Sequence, residues 1–101
     1  MRKIEQKMIE AIKSKAIAWT LDNTGVFYEN NNTKFGPRSE IYIHGNHIAD
    51  YWHRDGELTV NEHTLMKWPT PTTKSRLRAL GANVTTKKGT TYLNGIPCIP
   101  Y

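Results

Sequence analysis

The chain has one cysteine, no long apolar run and no acidic residue after Glu62. Each shortage removes a class of protein. A single thiol cannot close an internal disulfide, which excludes a disulfide-stapled scaffold. Cys98 lies between Pro97 and Ile99 with no histidine nearby in sequence. That is the setting of a small hydrophobe rather than of an activated nucleophile. Apolar stretches of a few residues are too short to cross a bilayer, so no membrane partner is expected. Lys7, Glu10, Lys13 and Lys15 interrupt the start of the chain, where a secretory signal needs an apolar segment. The expectation is a cytoplasmic protein. Also missing are Gly-x-Gly-x-x-Gly, the P-loop, the nucleophile elbow and His-Glu-x-x-His, so an enzyme reading starts without a catalytic motif.

What remains is an ordinary globular composition spread over 101 residues. That length supports one hydrophobic core, and residues 1–101 read as a single domain. The formal charge of +5 is unevenly distributed. Residues 1–16 carry five basic and two acidic groups, a net of +3. Residues 17–62 carry three basic and seven acidic groups, a net of −4. Residues 63–101 carry six basic groups and no acid, a net of +6. An acid-free basic third beside an acidic middle describes a polar molecule with one attractive face. The competing reading is a solvated surface with counter-charges folded beside it.

Ile4, Met8, Ile12 and Ala16 recur every four residues and predict an N-terminal helix. Short strands follow. Trp19 and Leu21, then Val26-Phe27-Tyr28, flank Asn23-Thr24-Gly25 as a first hairpin. Residues 30–37 read as a polar loop. Gly45-Asn46 is the expected turn between 41–44 and 47–49, and Asp55-Gly56 the expected turn between 51–53 and 58–60. The second turn would set Arg54 opposite Glu57. Trp68-Pro69-Thr70-Pro71 cannot be a central strand, because each proline removes a donor. Thr70 or Thr72 can cap a short second helix from Lys74 to Leu80, with Leu77 and Leu80 facing inward and Gly81 closing it. Lys88-Gly89 and Asn94-Gly95 mark final hairpin turns. The predicted fold is α+β: a mostly antiparallel sheet of short hairpins with two helices packed on one face.

The main chemical candidate is the second helix start, Thr72, Thr73, Lys74, Ser75 and Arg76. Free amides, the helix dipole, hydroxyls and cations in one turn make a phosphate cradle. At 100° per residue Lys74 and Arg78 share a face, while Arg76 lies on the far flank near Leu80. All three cannot grip one phosphate. Trp68 and Lys67 lie just ahead of this turn, and Lys87 and Lys88 extend the basic third. Exposed aromatics beside basic grooves stack bases, and Trp68 is expected to be partly exposed. Capping alone accounts for the threonines but not for the missing acids.

Histidines form a second candidate. With a Gly45-Asn46 turn, His44 and His47 face each other across the strands, and His53 joins the same face. Two such histidines with a carboxylate can hold zinc, although no metal-binding spacing accompanies them and no cofactor is expected. A metal-dependent nuclease would add Asp50, Asp55, Glu57 or Glu62.

Three blocks, Gly45-Asn46-His47-Ile48-Ala49, Trp68-x-Thr70-x-Thr72-Thr73-Lys74-Ser75-Arg76-Leu77 and Lys88-Gly89…Tyr92-Leu93-Asn94-Gly95, resemble a family of small tailed-bacteriophage proteins. The resemblance covers about half the chain, from residue 41 on. It implies an accessory protein made inside a bacterial host, of the kind that counters host defence or redirects host machinery, and it supplies no catalytic residues. The leading expectation is a non-enzymatic protein that binds a phosphate-bearing nucleotide at residues 72–76 and so sequesters a host signal. The alternatives are nucleic-acid binding through Lys67, Lys74, Arg78, Lys87 and Lys88, and inhibition of a host enzyme through the acidic strands or an aromatic patch. A homo-oligomer sharing the site between subunits fits any of these.

Overall fold

A computed structural model describes residues 2–30 and 35–98. Helix α1 (Lys3–Lys13) leads into five strands, β1 (Ala18–Leu21), β2 (Thr24–Glu29), β3 (Arg38–Ile43), β4 (Asn46–Trp52) and β5 (Glu57–Val60). Helices α2 (Glu62–Lys67) and α3 (Pro71–Ala79) follow, then β6 (Val84–Lys87), β7 (Thr90–Leu93) and β8 (Ile96–Pro97). The architecture is α+β with antiparallel pairing throughout, in a five-stranded meander ordered β1-β2-β3-β4-β5 and a three-stranded sheet ordered β6-β7-β8. The polar loop expected over 30–37 falls partly on residues 31–34, and the end of the tail on 99–101, outside the described residues.

Alternation decides which face of the meander is inside. In β3, Ser39, Ile41 and Ile43 are buried while Arg38, Glu40 and Tyr42 are half-buried on the opposite face. Met8, Ala11 and Ile12 of α1, Leu65 of α2 and Leu77 of α3 pack with Val26, Ile41, Ile43, Ile48 and Ala49. Val84 and Leu93, paired across β6 and β7, close the same cluster. The two sheets therefore share one core. Fully burying side chains such as Met8, Ile41 or Leu77 stabilises by about 1.5–3 kcal/mol each.

Turn chemistry corrects two expectations. The β3–β4 turn is His44-Gly45, not Gly45-Asn46, with Ile43 opposite Asn46. Both central residues have positive φ, 50° at His44 and 78° at Gly45, as a two-residue hairpin of this twist requires. Histidine is one of the few side chains that enters this region with any frequency. His44 and His47 are consequently not cross-strand partners. The β4–β5 connection is a four-residue loop, 53–56, closed by the Gly56 N–H on the Trp52 carbonyl at 2.8 Å. Trp52, not Arg54, stands opposite Glu57.

A bulge at Ile48 re-aims β4. Tyr42 pairs with His47 and Ile41 with Ala49, so Ile48 is the extra residue. Its carbonyl accepts the Asn61 N–H at 2.8 Å, at the cap of α2. Asn61 Oδ1 in turn accepts the Thr64 N–H at 3.1 Å. Helix α3 starts on Thr70, whose hydroxyl oxygen accepts the Thr73 N–H at 3.2 Å, and ends before Gly81 at φ +100°.

Candidate functional site

The α3 start gathers the expected residues, but it gives several of them internal partners. Arg76 is 3% exposed. Its Nη1 donates to Glu5 Oε2 at 2.9 Å and its Nε to Thr24 Oγ1 at 3.1 Å. The Ser75 hydroxyl donates to the same Glu5 oxygen at 2.5 Å. Glu5 Oε1 accepts the Arg2 N–H at 3.3 Å. Burial works to raise the Glu5 carboxyl's pKa, but the Ser75, Arg76 and Arg2 hydrogen bonds and the Arg76 charge bring it below its ordinary value. Ser75 and Arg76 thus tie α3 to α1 and β2 from inside the molecule. Thr73 is buried and engaged with the Thr70 cap. Thr72 is half-buried in the first turn.

Lys74 and Arg78 lie on the other side of α3, along β6. Lys74 Nζ donates to Thr86 Oγ1 at 2.6 Å, and Arg78 Nε donates to the Val84 carbonyl at 2.7 Å. The strand then runs into the exposed pair Lys87 and Lys88, the latter at φ 49° beside Gly89 in the β6–β7 turn. A depression of about 200 Å³ brings Met66 and Pro69 against Gly89 and Thr90. Lys67 and Trp68 occupy the chain between those first two residues, and Trp68 is 52% exposed. Apart from the buried Arg76, the basic positions of the last third therefore collect around one corner formed by α2, α3 and the β6–β7 turn. Cys98 lines the same depression, half-buried, and burial pushes its thiol pKa up.

The outward face of the meander is a second surface. In register across it lie Arg38 with Trp52, Glu40 with Asp50, and Tyr42 with His47. Arg38 Nη2 donates to Glu40 Oε2 at 2.8 Å, and its guanidinium carbon sits 5.5 Å from the centre of the Trp52 ring. His47 Nε2 lies 2.7 Å from Asp50 Oδ1, and its ring stacks on Tyr42 at 5.0 Å between centroids. The hydrogen bond that Arg38 donates to Glu40, with the charges of Glu40 and Asp50, outweighs desolvation and raises the Arg38 pKa. Burial first, then Glu40, raises that of Tyr42.

Glu40, His47 and Asp50 offer ligand atoms all within 4.8 Å of one another, a donor set suited to a divalent cation. Arg38 already supplies positive charge to both carboxylates, lying 3.7 Å from Asp50. The other acidic candidates are elsewhere. Asp55 and Glu57 flank Gly56 at the β4–β5 loop, and Glu62 opens α2. His53 leaves the outward face and lies 2.7 Å from Ser39 Oγ, its pKa lowered by desolvation and then by the Lys15 charge.

The sequence matches the family model for the Kyanoviridae Gp96 protein over residues 1–100. The chain belongs to the Kyanoviridae Gp96 family. This is a phage protein family, and the match takes in α1 and residues 30–37 as well as the three blocks from residue 41 on. No curated protein and no solved structure matches the chain. No helix among the described residues of this Gp96 family member is long and apolar enough to cross a membrane.

Two features of the site escape sequence reasoning. The Glu5–Arg76 pair spans 71 residues, and only the missing acid within reach on α3 hints that Arg76 must find one elsewhere. The His47–Asp50 pair exists because the bulge at Ile48 turns residues three apart to one face, which simple alternation would separate. A strand carrying two adjacent apolar residues, Ile48-Ala49, between polar ones was the available signal.

Proposed function

We propose that this phage protein is a non-enzymatic accessory factor that binds nucleic acid through its basic corner, acting in the host cytoplasm. The observation that carries the reading is the alignment of Lys74 and Arg78 along β6, which continues into Lys87 and Lys88 and meets Lys67 and Trp68 across the neighbouring depression. Phosphates attract such a stripe without any base-specific contact, and an exposed tryptophan beside it offers a stacking platform. A small nucleotide held at residues 72–76 has weaker support, because Ser75 and Arg76 are committed to Glu5 and Thr73 to the helix cap. Interference with host defence then follows as competition for a nucleic acid that the host machinery also binds.

Anisotropy of labelled single- and double-stranded oligonucleotides across a salt series tests this reading. The expected result is sub-millimolar binding that weakens with a log–log slope of roughly −0.9 per phosphate neutralised, over roughly three to five contacts. Binding that ignores salt, or no binding beside a clear melting shift with cyclic or linear nucleotides, would replace it with the small-ligand reading.

A further inference from the structure

The outward face of the meander has a chemistry opposite to that of the basic corner. Helices α1, α2 and α3 supply core residues to the inward face, and on the outward one the Phe35 ring lies edge to face with Trp52 at 6.0 Å. Glu29, Glu40, Asp50 and Glu57 stand on it by register, and among the described strand residues Arg38 is the cation set against them. The rings of Phe27, Tyr42, His47 and Trp52 lie among them, with Phe27 and Tyr42 edge to face at 5.6 Å. Two depressions flank the centre. One, of about 450 Å³, runs between Thr20, Asp22, Phe27, Tyr42 and Gly45. The other, of about 350 Å³, is bounded by Phe35, Trp52, Arg54, Asp55, Glu57 and Thr59, with two carboxylates against the one Arg54 cation. Each combines an aromatic wall with a carboxylate.

Arg38 shows what such a surface accepts. Its guanidinium lies over Trp52 while it pairs with Glu40, which is the stacked and charge-assisted arrangement that suits arginine better than lysine. Gly25, opposite Tyr42, lets the Phe27 ring lie close against the strand at the first depression. A Cβ there would meet the Phe27 ring at 2.9 Å.

We propose that this face docks a basic, arginine-bearing segment of a partner protein, with guanidinium groups entering the two depressions on either side of Arg38. Charge complementarity sets the sign of the partner, and the aromatic walls set the preference for arginine. The site is separate from the basic corner, so the protein can hold an acidic ligand at one end and a basic one at the other.

The test is a nuclear magnetic resonance titration of the ¹⁵N-labelled full chain with a short arginine-glycine peptide and with its lysine counterpart of equal charge. Amide shifts are expected at Phe27, Glu40, Tyr42, Asp50, Trp52 and Glu57, with the arginine peptide binding roughly fivefold more tightly, as stacking of a guanidinium predicts. The double variant Asp22→Asn/Glu57→Gln, both exposed positions, should keep the spectrum of a folded protein and weaken the arginine peptide about fivefold or more. Equal binding of the two peptides, shifts on other surfaces, or an unchanged affinity in the double variant would overturn the proposal. So would self-association at low salt that Lys87→Glu/Lys88→Glu abolishes, because the occupant would then be a second copy of this chain.

Discussion

Arg76 Nη1 lies 2.9 Å from Glu5 Oε2, and both side chains are 4% exposed. This ion pair joins the first turn of α1 to the middle of α3 and is braced by Ser75 and Thr24. No buried side-chain polar atom among the described residues lacks a hydrogen-bond partner. The network therefore encloses its charges fully, which is the condition for a buried pair to be tolerated.

Breaking that pair from one side leaves the other charge buried. Glu5→Gln or Arg76→Met alone should each cost about 3–5 kcal/mol, read as a lower denaturant midpoint. The double variant Glu5→Leu/Arg76→Met should recover much of that loss, because an apolar pair of similar volume removes both desolvation penalties. Single variants with wild-type stability would show the pair to be energetically idle. Wild-type binding of oligonucleotides by the folded double variant would also separate Arg76 from the basic corner.

The same pair gives the stability a pH signature. The folded Glu5 carboxyl titrates below its unfolded value, so its contribution is present above the ordinary carboxylate range and is lost as pH falls through the folded pKa. His53 acts at higher pH. Its folded pKa lies below the unfolded one, so the unfolded chain takes up a proton first and stability falls as pH drops below the ordinary histidine value. Melting temperatures across pH should therefore fall in two steps. His53→Asn should flatten the upper step and Glu5→Gln the lower. A single step untouched by His53→Asn would contradict this account.

Within the basic corner, the exposed pair Lys87→Ala/Lys88→Ala should reduce the magnitude of the salt slope of oligonucleotide binding by about 1.8 while leaving the melting temperature nearly unchanged. Trp68→Ala should weaken single strands by about 1–3 kcal/mol and duplexes by less, since only unstacked bases can lie on the ring. Equal losses for both forms would remove stacking from the reading.

The turn at His44 supplies a control for the metal reading. His44 sits at φ 50° where Asn94, in the equivalent place before Gly95, sits at φ 53°. His44→Asn should stabilise the hairpin by up to about 1 kcal/mol, because asparagine tolerates this region best among side chains. It should also leave any zinc affinity unchanged, since the donor set is Glu40, His47 and Asp50. A loss of zinc affinity in His44→Asn would restore the histidine pair.

Local signals carried much of the fold. The four-residue apolar period found α1, and Asn94-Gly95 and Lys88-Gly89 marked their turns. Of the two candidate caps Thr70 is the one used, so α3 starts at Pro71 rather than at the expected Lys74 and ends ahead of Gly81. Helix α2 was not legible, because six residues with one buried apolar side chain, Leu65, hold no period to read. The β3–β4 turn was misplaced by one residue. Both His44-Gly45 and Gly45-Asn46 are acceptable turn pairs, and the choice between them rests on which register buries Ile41, Ile43 and Ile48.

By itself, then, the sequence determined the α+β class, the meander, and a positive C-terminal third set against a negative middle. These follow from periodicity, turn residues and charge counts, which are properties of neighbours along the chain. Only the tertiary structure decided which cations face water. The helix α3 sends Arg76 inward to a carboxylate 71 positions away and lays Lys74 and Arg78 along a strand that comes later. Likewise only the bulge at Ile48 set His47 beside Asp50. Each of these depends on contacts between segments distant in sequence, where the burial of a charge or the packing of a sheet face outweighs local preference.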